Sequence, residues 1–300
     1  MSFPPINVHE SENPPSFSNP DHPDGLVPPP PVPRRVPNFG HAALFVSFAG
    51  FLLLASEIIL ALAGKPPASL RAGAITVLHP ILQIAMMAAI YLFTLGVAWL
   101  IFPYFWRRPF LDGLQWHWSA ARSQANRLIT LGFALGVMMS IVTAFVSSPK
   151  NLPIDDFFLT PVTAWLITLF GTFAAPVFEE ICFRGFLLPA FAIAYDWIAL
   201  PRTPEARSRW QTTTKLTPAS LIFSAVLTSF LFAMLHAQQD AHIWAALVGL
   251  FCISLVLTFV RVKTQSVAAS TLVHASYNGF IFLMTIIATG GYRHLDRMTH

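Results

Sequence analysis

Phe178-Glu179-Glu180-Ile181-Cys182-Phe183-Arg184-Gly185 interrupts an apolar stretch that runs from about 157 to 200. A charged side chain near the centre of a bilayer costs roughly 2.5–3.5 kcal/mol on insertion scales. Three charges within six residues of apolar sequence therefore need partners, and an intramembrane ionisable cluster reads by default as a functional site.

Composition shows that the surroundings are indeed membrane. The chain has 300 residues, of which 55% are hydrophobic and 11% charged, with a mean hydropathy of +0.60. Soluble domains carry about 25% charged residues. Several apolar runs have the length of a spanning helix, about 20 residues, which predicts an all-α, polytopic transmembrane helix bundle of about seven spans. The alternating segments of about 10 residues that build a membrane β-barrel are not evident. Cys182 and Cys252 both fall in apolar runs. Two such thiols predict neither a structural disulfide nor a zinc site of their own. The net charge of +4 suits basic loops facing a membrane surface. No basic stripe with interleaved aromatics lies on a soluble segment, so nucleic acid is not an expected partner.

Residues 1–38 contain Pro28-Pro29-Pro30-Pro31 and the acidic Glu10, Glu12, Asp21 and Asp24, with no apolar core. They read as a disordered Pro-rich tail whose partner is unknown, and not as a signal peptide. Arg34-Arg35 precede the first apolar run, about 39–63, which places the N-terminus in the cytoplasm by the positive-inside rule. A second run covers about 74–102. The link that follows carries Arg107, Arg108, Arg122 and Arg127 against Asp112, as a cytoplasmic loop would. A third run, about 128–147, ends at Ser147-Ser148-Pro149, before an outside loop with Lys150, Asp155 and Asp156.

The stretch 157–200 would reach about 65 Å as one straight helix, too long for a single span. Pro161, Gly171 and Pro176 are the expected break points. The reading is a re-entrant or outer-leaflet lead-in followed by a helix over about 172–197. Two full spans are the alternative and would invert everything downstream. Arg202, Arg207, Arg209 and Lys215 against Glu205 favour the first reading. Helices follow at about 218–237, 242–261 and 266–289, and Arg261 and Lys263 mark a further cytoplasmic end.

Three polar pairs at i,i+4 spacing lie in these last helices, so each presents both members on one face. Glu180 and Arg184 form the first. Glu179 points about 100° away on the helical wheel, which predicts a buried Glu180–Arg184 ion pair and leaves Glu179 facing a cavity. Phe232 and His236 form the second, with Phe232 as packing that positions the imidazole. His274 and Asn278 form the third, where the amide could fix the imidazole tautomer or donate to a substrate oxygen. One carboxylate, two imidazoles and an amide suit water activation beside a carbonyl, with Glu179 and His236 holding the water and His274 and Asn278 stabilising an oxyanion. Glu179, His236 and His274 would also suit a zinc ion with an open position, and residue types alone do not separate the two mechanisms.

Other polar residues read as structural. Glu57 is expected to face the bundle interior, protonated or hydrogen-bonded. His79, ahead of Pro80, reads as interfacial, and Trp116-His117-Trp118 as an interfacial aromatic belt. Cys182 would need a nearby base and an electropositive setting to act as a thiol nucleophile, and is not read as one.

Glu179-Glu180-x-x-x-Arg184, Phe232-x-x-x-His236 and His274-x-x-x-Asn278, in this order and each in an apolar helix, resemble the three motifs of the CPBP intramembrane proteases. This group includes the CAAX prenyl endopeptidases and the bacteriocin-processing or immunity (Abi) proteins. The resemblance covers about 175–285. It implies a peptide-bond hydrolase with Glu179 as water-activating base, His236 beside it, and His274 and Asn278 at the oxyanion. The implied substrate is a membrane protein or lipidated peptide in the bilayer, with no obligatory metal. The organisation is then a tail (1–38), N-terminal transmembrane helices (39–170), a catalytic helical core (171–290) and a C-terminal tail (291–300). An integral membrane protein of the plasma or inner membrane is expected if the source is prokaryotic. A non-catalytic immunity or scaffold protein, and a transporter using the polar cavity as an ion path, are the competing functions.

Overall fold

The computed structural model describes residues 34–63, 72–145, 153–237 and 243–298. The expected disordered tail up to residue 33 and the Ser147-Ser148-Pro149 stop lie outside these residues. No strand occurs among the described residues, and seven helical segments are long and apolar enough to cross a membrane. The chain is an all-α bundle of candidate spans, as the apolar runs require.

The elements are α1 (Phe39–Ala63), α2 (Ala72–Trp106), the short α3 (Phe110–Leu114) and α4 (Trp118–Ser123), and α5 (Ala125–Ala144). Then come α6 (Pro161–Leu169), α7 (Ala175–Glu180) and α8 (Leu188–Ile198), the polar surface helix α9 (Pro204–Thr212), α10 (Pro218–Leu235), α11 (Trp244–Thr264) and α12 (Val267–Ala288). Here the structure departs from the expected break near residue 171. Residues Pro161–Ile198 form one continuous helical span. Two wide π turns, Phe170–Ala174 and Ile181–Leu187, join α6 to α7 and α7 to α8. Wide turns absorb the prolines that would otherwise break the rod. Each π segment is followed two residues later by a proline, Pro176 and Pro189, whose missing N–H costs least where the ladder is already interrupted.

Aromatic packing fixes α1 and α2 against this span. Phe45 stacks on Phe186 with ring centroids 4.4 Å apart, and Tyr91 stacks on Phe178 at 3.8 Å. On the opposite side, α5 seats α12. A Cβ at Gly132 would come within 2.5 Å of Ser276 Cβ, and one at Gly136 within 2.4 Å of the Phe280 ring. Gly132-x-x-x-Gly136 is thus a small-residue seam of the kind that lets membrane helices approach closely.

The turn between α11 and α12 is equally constrained. Gln265 adopts a left-handed conformation (φ 51°), and the Ser266 side chain caps α12 by accepting from the Ala269 N–H. Val267 N–H donates to Gln115 O, and Ser266 Oγ donates to His117 O. The 115–118 segment read as an aromatic belt therefore also clamps this turn. Trp116 and Trp118 stack 6.3 Å apart.

Two side readings change. Glu57 is exposed on α1 rather than turned into the bundle. The 291–300 segment is not wholly a loose tail, because Tyr292 is fully buried and its hydroxyl meets Thr168 Oγ1 at 2.6 Å. His79 is exposed.

Candidate functional site

The long span, α10, α11 and α12 deliver the polar side chains to one place. Arg184 Nη1 donates to Glu180 Oε1 at 2.7 Å, with both side chains essentially removed from solvent. One carboxylate does not satisfy a guanidinium with five N–H donors. Arg184 Nη2 therefore reaches α11, donating to Ser254 Oγ at 2.7 Å and Ser254 O at 3.0 Å. The ion pair ties the span to α11, and its geometry agrees with the helical-wheel reading.

Glu180 has a further partner. His274 Nδ1 lies 3.0 Å from Glu180 Oε1. An ionised carboxylate only accepts, so Nδ1 carries the proton and the ring turns Nε2 away from Glu180. His236 is set by the same logic, with Nδ1 2.8 Å from Phe232 O, a backbone acceptor of its own helix. Phe232 packs its ring on both imidazoles, with centroids 4.5 Å from His236 and 5.7 Å from His274. Both Nε2 atoms consequently face Glu179. His236 Nε2 lies 3.9 Å and His274 Nε2 3.8 Å from Glu179 Oε2.

These separations exceed a direct hydrogen bond, and Glu179 Oε2 is buried without a hydrogen-bond partner among the described residues. Three accepting atoms converge there on space for a small donor. The Glu179 and His236 side chains keep 18% and 21% exposure, against 4% for His274 and none for Glu180, so the site opens on the Glu179–His236 side.

The donor set is right in kind for zinc. The 3.8–3.9 Å separations are wider than the about 3.4 Å that tetrahedral bonds of about 2.1 Å impose. No group of three or more His, Cys, Asp or Glu among the described residues is arranged to hold a metal ion.

Residues 161–280 match the family described as type II CAAX prenyl endopeptidase Rce1-like. The match begins at the first residue of α6 and ends within α12, so it contains every residue of the cluster. That segment, two fifths of the chain, is what is similar to this family. Over 214 residues the chain is 26% identical to YyaK, an uncharacterised protein of Bacillus subtilis strain 168, a match covering 67% of this chain and 61% of that protein. The chain thus spans about three fifths of the length of the curated relative it matches. No solved structure matches the chain at a significant level.

Within the matched segment Asn278, expected either to fix the His274 tautomer or to donate to a substrate oxygen, has a backbone partner of its own. Its Nδ2 donates to Gly171 O at 2.7 Å. The π turn explains why that carbonyl is free. Ala175 N–H reaches back five residues to Phe170 O, so the next donor in the same register would be Pro176 to Gly171 O, and proline has no N–H. Asn278 supplies the missing donor and ties α12 to the turn just ahead of Glu179.

Ser254 and Gly171 were not legible as site residues. A serine in the middle of an apolar helix is the only signal for the first. The Gly171–Pro176 spacing, which matches a π register, is the signal for the second.

Proposed function

We propose that this chain is a membrane-embedded endopeptidase that hydrolyses a peptide bond in a membrane-associated protein or lipidated peptide. One observation carries the reading: Nε2 of His236 and Nε2 of His274 both converge on the unpartnered Oε2 of Glu179 inside an Rce1-like domain. A water molecule has two protons to donate and suits such a set of acceptors.

In this mechanism the water sits between Glu179 and His236. Glu179 takes one proton as the water oxygen attacks the scissile carbonyl carbon. The carbonyl oxygen becomes an oxyanion, stabilised by the Asn278 N–H not used on Gly171, while His274 Nε2 accepts a hydrogen bond from the proton that stays on the attacking oxygen. An oxyanion donor is typically worth about 10²–10³ in rate. Glu179 then returns its proton to the leaving amine as the C–N bond breaks, which balances protons over the cycle. Glu180 and Arg184 do not touch substrate, but Glu180 holds the His274 ring. No metal is obligatory in this scheme. Arg34, Arg35, Arg107, Arg108, Arg202 and Arg207 support a cytoplasmic N-terminus by the positive-inside rule.

The test uses full-length protein in lipid vesicles with a membrane-anchored reporter peptide. Glu179→Ala and His236→Ala are expected to keep their thermal unfolding midpoint and lose cleavage by about 10²–10⁴-fold. Cleavage is expected to survive in protein shown to be metal-free after chelation. Unchanged cleavage in both variants contradicts the proposal. Biological activity that persists in Glu179→Gln identifies a binding or immunity role instead.

A further inference from the structure

At the basic end of the bundle lies a cavity of about 750 Å³ lined by Arg34, Arg35, Arg108, Lys215 and Arg261, with no Asp or Glu among its described lining residues. These five cations come from four separate parts of the chain. Arg261 is buried (6% exposed) and hydrogen-bonds through Nη2 to Gln115 Oε1 at 2.6 Å. Its Nε has no acceptor among the described residues, and it has no carboxylate of its own. Its electrostatic partner, Glu180, is already bonded to Arg184 and His274. A guanidinium removed from water with donors unfilled is costly unless an anion meets it.

Arg35 repeats the pattern. It lies 3.6 Å over the Trp210 ring and donates through Nη2 to the carbonyls of Trp210 and Thr213, while Nε finds no acceptor. Burial pulls the Arg35 guanidinium below its ordinary value, and Asp196 offsets part of that effect. The Asp196 carboxylate is nevertheless committed elsewhere, accepting from Thr217 N–H, Thr217 Oγ1 and Ser220 Oγ at the start of α10.

Part of the remaining wall is apolar, beside the polar Gln115, Thr214 and Gln265. Leu188, Pro189 and Ile193 from the long span and Leu221 from α10 line it. The same two helices continue into exposed apolar faces at Trp197, Ile198, Ile222 and Phe223. Cationic floor and apolar wall together match an amphiphile rather than a fully polar solute.

We propose that this cavity is a phosphate-binding site whose ligand is the headgroup of an anionic phospholipid, with the acyl chains lying along α8 and α10. Juxtamembrane cations contribute about 1 kcal/mol each toward anionic lipid. The phosphate meets Arg35 and Arg261, and the exposed Arg34, Arg108 and Lys215 close over it. Through Arg261 the site borders Glu180, but it does not depend on the chain being a protease.

The test reconstitutes the full chain in phosphatidylcholine vesicles with and without a minor fraction of phosphatidylglycerol, and reads retained lipid by native mass spectrometry after mild extraction. Phosphatidylglycerol is expected to be enriched over its share of the vesicle. Replacing Arg34, Arg108 and Lys215 together by Gln is expected to weaken that enrichment by about tenfold or more. All three are exposed, so their loss spares the fold. Arg207→Gln/Arg209→Gln, on α9 outside the cavity, is expected to retain it. A parallel arm titrates glycerol phosphate into lipid-free, detergent-solubilised protein. A rise in unfolding midpoint as large as that given by phosphatidylglycerol, and lost in the triple variant, assigns the phosphate site to a soluble ester and overturns the lipid assignment. Equal enrichment in the triple variant and the unaltered protein, or no enrichment at all, overturns the site.

Discussion

Glu179 and Glu180 are neighbours on one helix and occupy different chemical worlds. Glu180 is fully buried, bonded to Arg184 at 2.7 Å and to His274 at 3.0 Å. Glu179 is partly open and faces two imidazole nitrogens at 3.8 and 3.9 Å. The difference follows from helical geometry, since a 100° step between successive residues turns one carboxylate into the α11–α12 contact and the other toward the opening. It separates two kinds of work. The closed side holds three helices in register, and the open side leaves Glu179 Oε2 without a hydrogen-bond partner among the described residues.

The largest effect that can break this comparison is on the closed side. Glu180→Gln strands the Arg184 guanidinium, and breaking a buried pair in this way costs about 3–5 kcal/mol. A steep fall in thermal midpoint and yield is expected by fluorescence-monitored unfolding. The double change Glu180→Leu/Arg184→Leu should recover much of the midpoint, because apolar replacement of a buried pair is often neutral. A Glu180→Gln protein as stable as the unaltered chain would mean that the two carboxylates are not divided as described.

A middle-sized effect tests the frame. Gly136→Ala places a Cβ 2.4 Å from the Phe280 ring. Overpacking of this kind costs about 1–3 kcal/mol. Because α12 also carries His274, cleavage should fall together with the unfolding midpoint. Stability unchanged by Gly136→Ala would show that α5 does not set the position of α12.

The smallest effect sharpens the account of Arg184. Ser254→Ala removes the Oγ acceptor at 2.7 Å and leaves the backbone acceptor at 3.0 Å. A loss of about 1.5–3 kcal/mol is the range for a hydrogen bond to a charged group. The lower end is expected in the unfolding midpoint, with no change in cleavage per folded molecule.

The seven-span bundle was legible because apolar length and missing charge are one-dimensional properties. The division of the carboxylates was legible too, since i,i+4 spacing converts directly into a shared face. What resisted reading depended on contacts between helices or on exceptions to α geometry. The long span looked broken because Pro161, Gly171 and Pro176 are breakers in an α ladder. Two π turns absorb the prolines at 176 and 189 instead. The same exception gave Asn278 a backbone partner in the orphaned Gly171 carbonyl. Ser254 carried no motif at all, and its role exists only because Arg184 needs more acceptors than Glu180 provides. Glu57 was misjudged because an isolated charge in an apolar run does not tell which way its helix turns it.

The most direct measurement compares Glu179→Gln with Glu180→Gln for cleavage of a membrane-anchored reporter in vesicles, normalised to folded protein. The account predicts that Glu179→Gln keeps the unaltered unfolding midpoint and loses about 10²–10⁴-fold in rate. Glu180→Gln is predicted to lose folded protein while its surviving folded fraction retains measurable cleavage. A Glu179→Gln protein that cleaves at the unaltered rate would contradict the central claim that Glu179 is the reactive carboxylate.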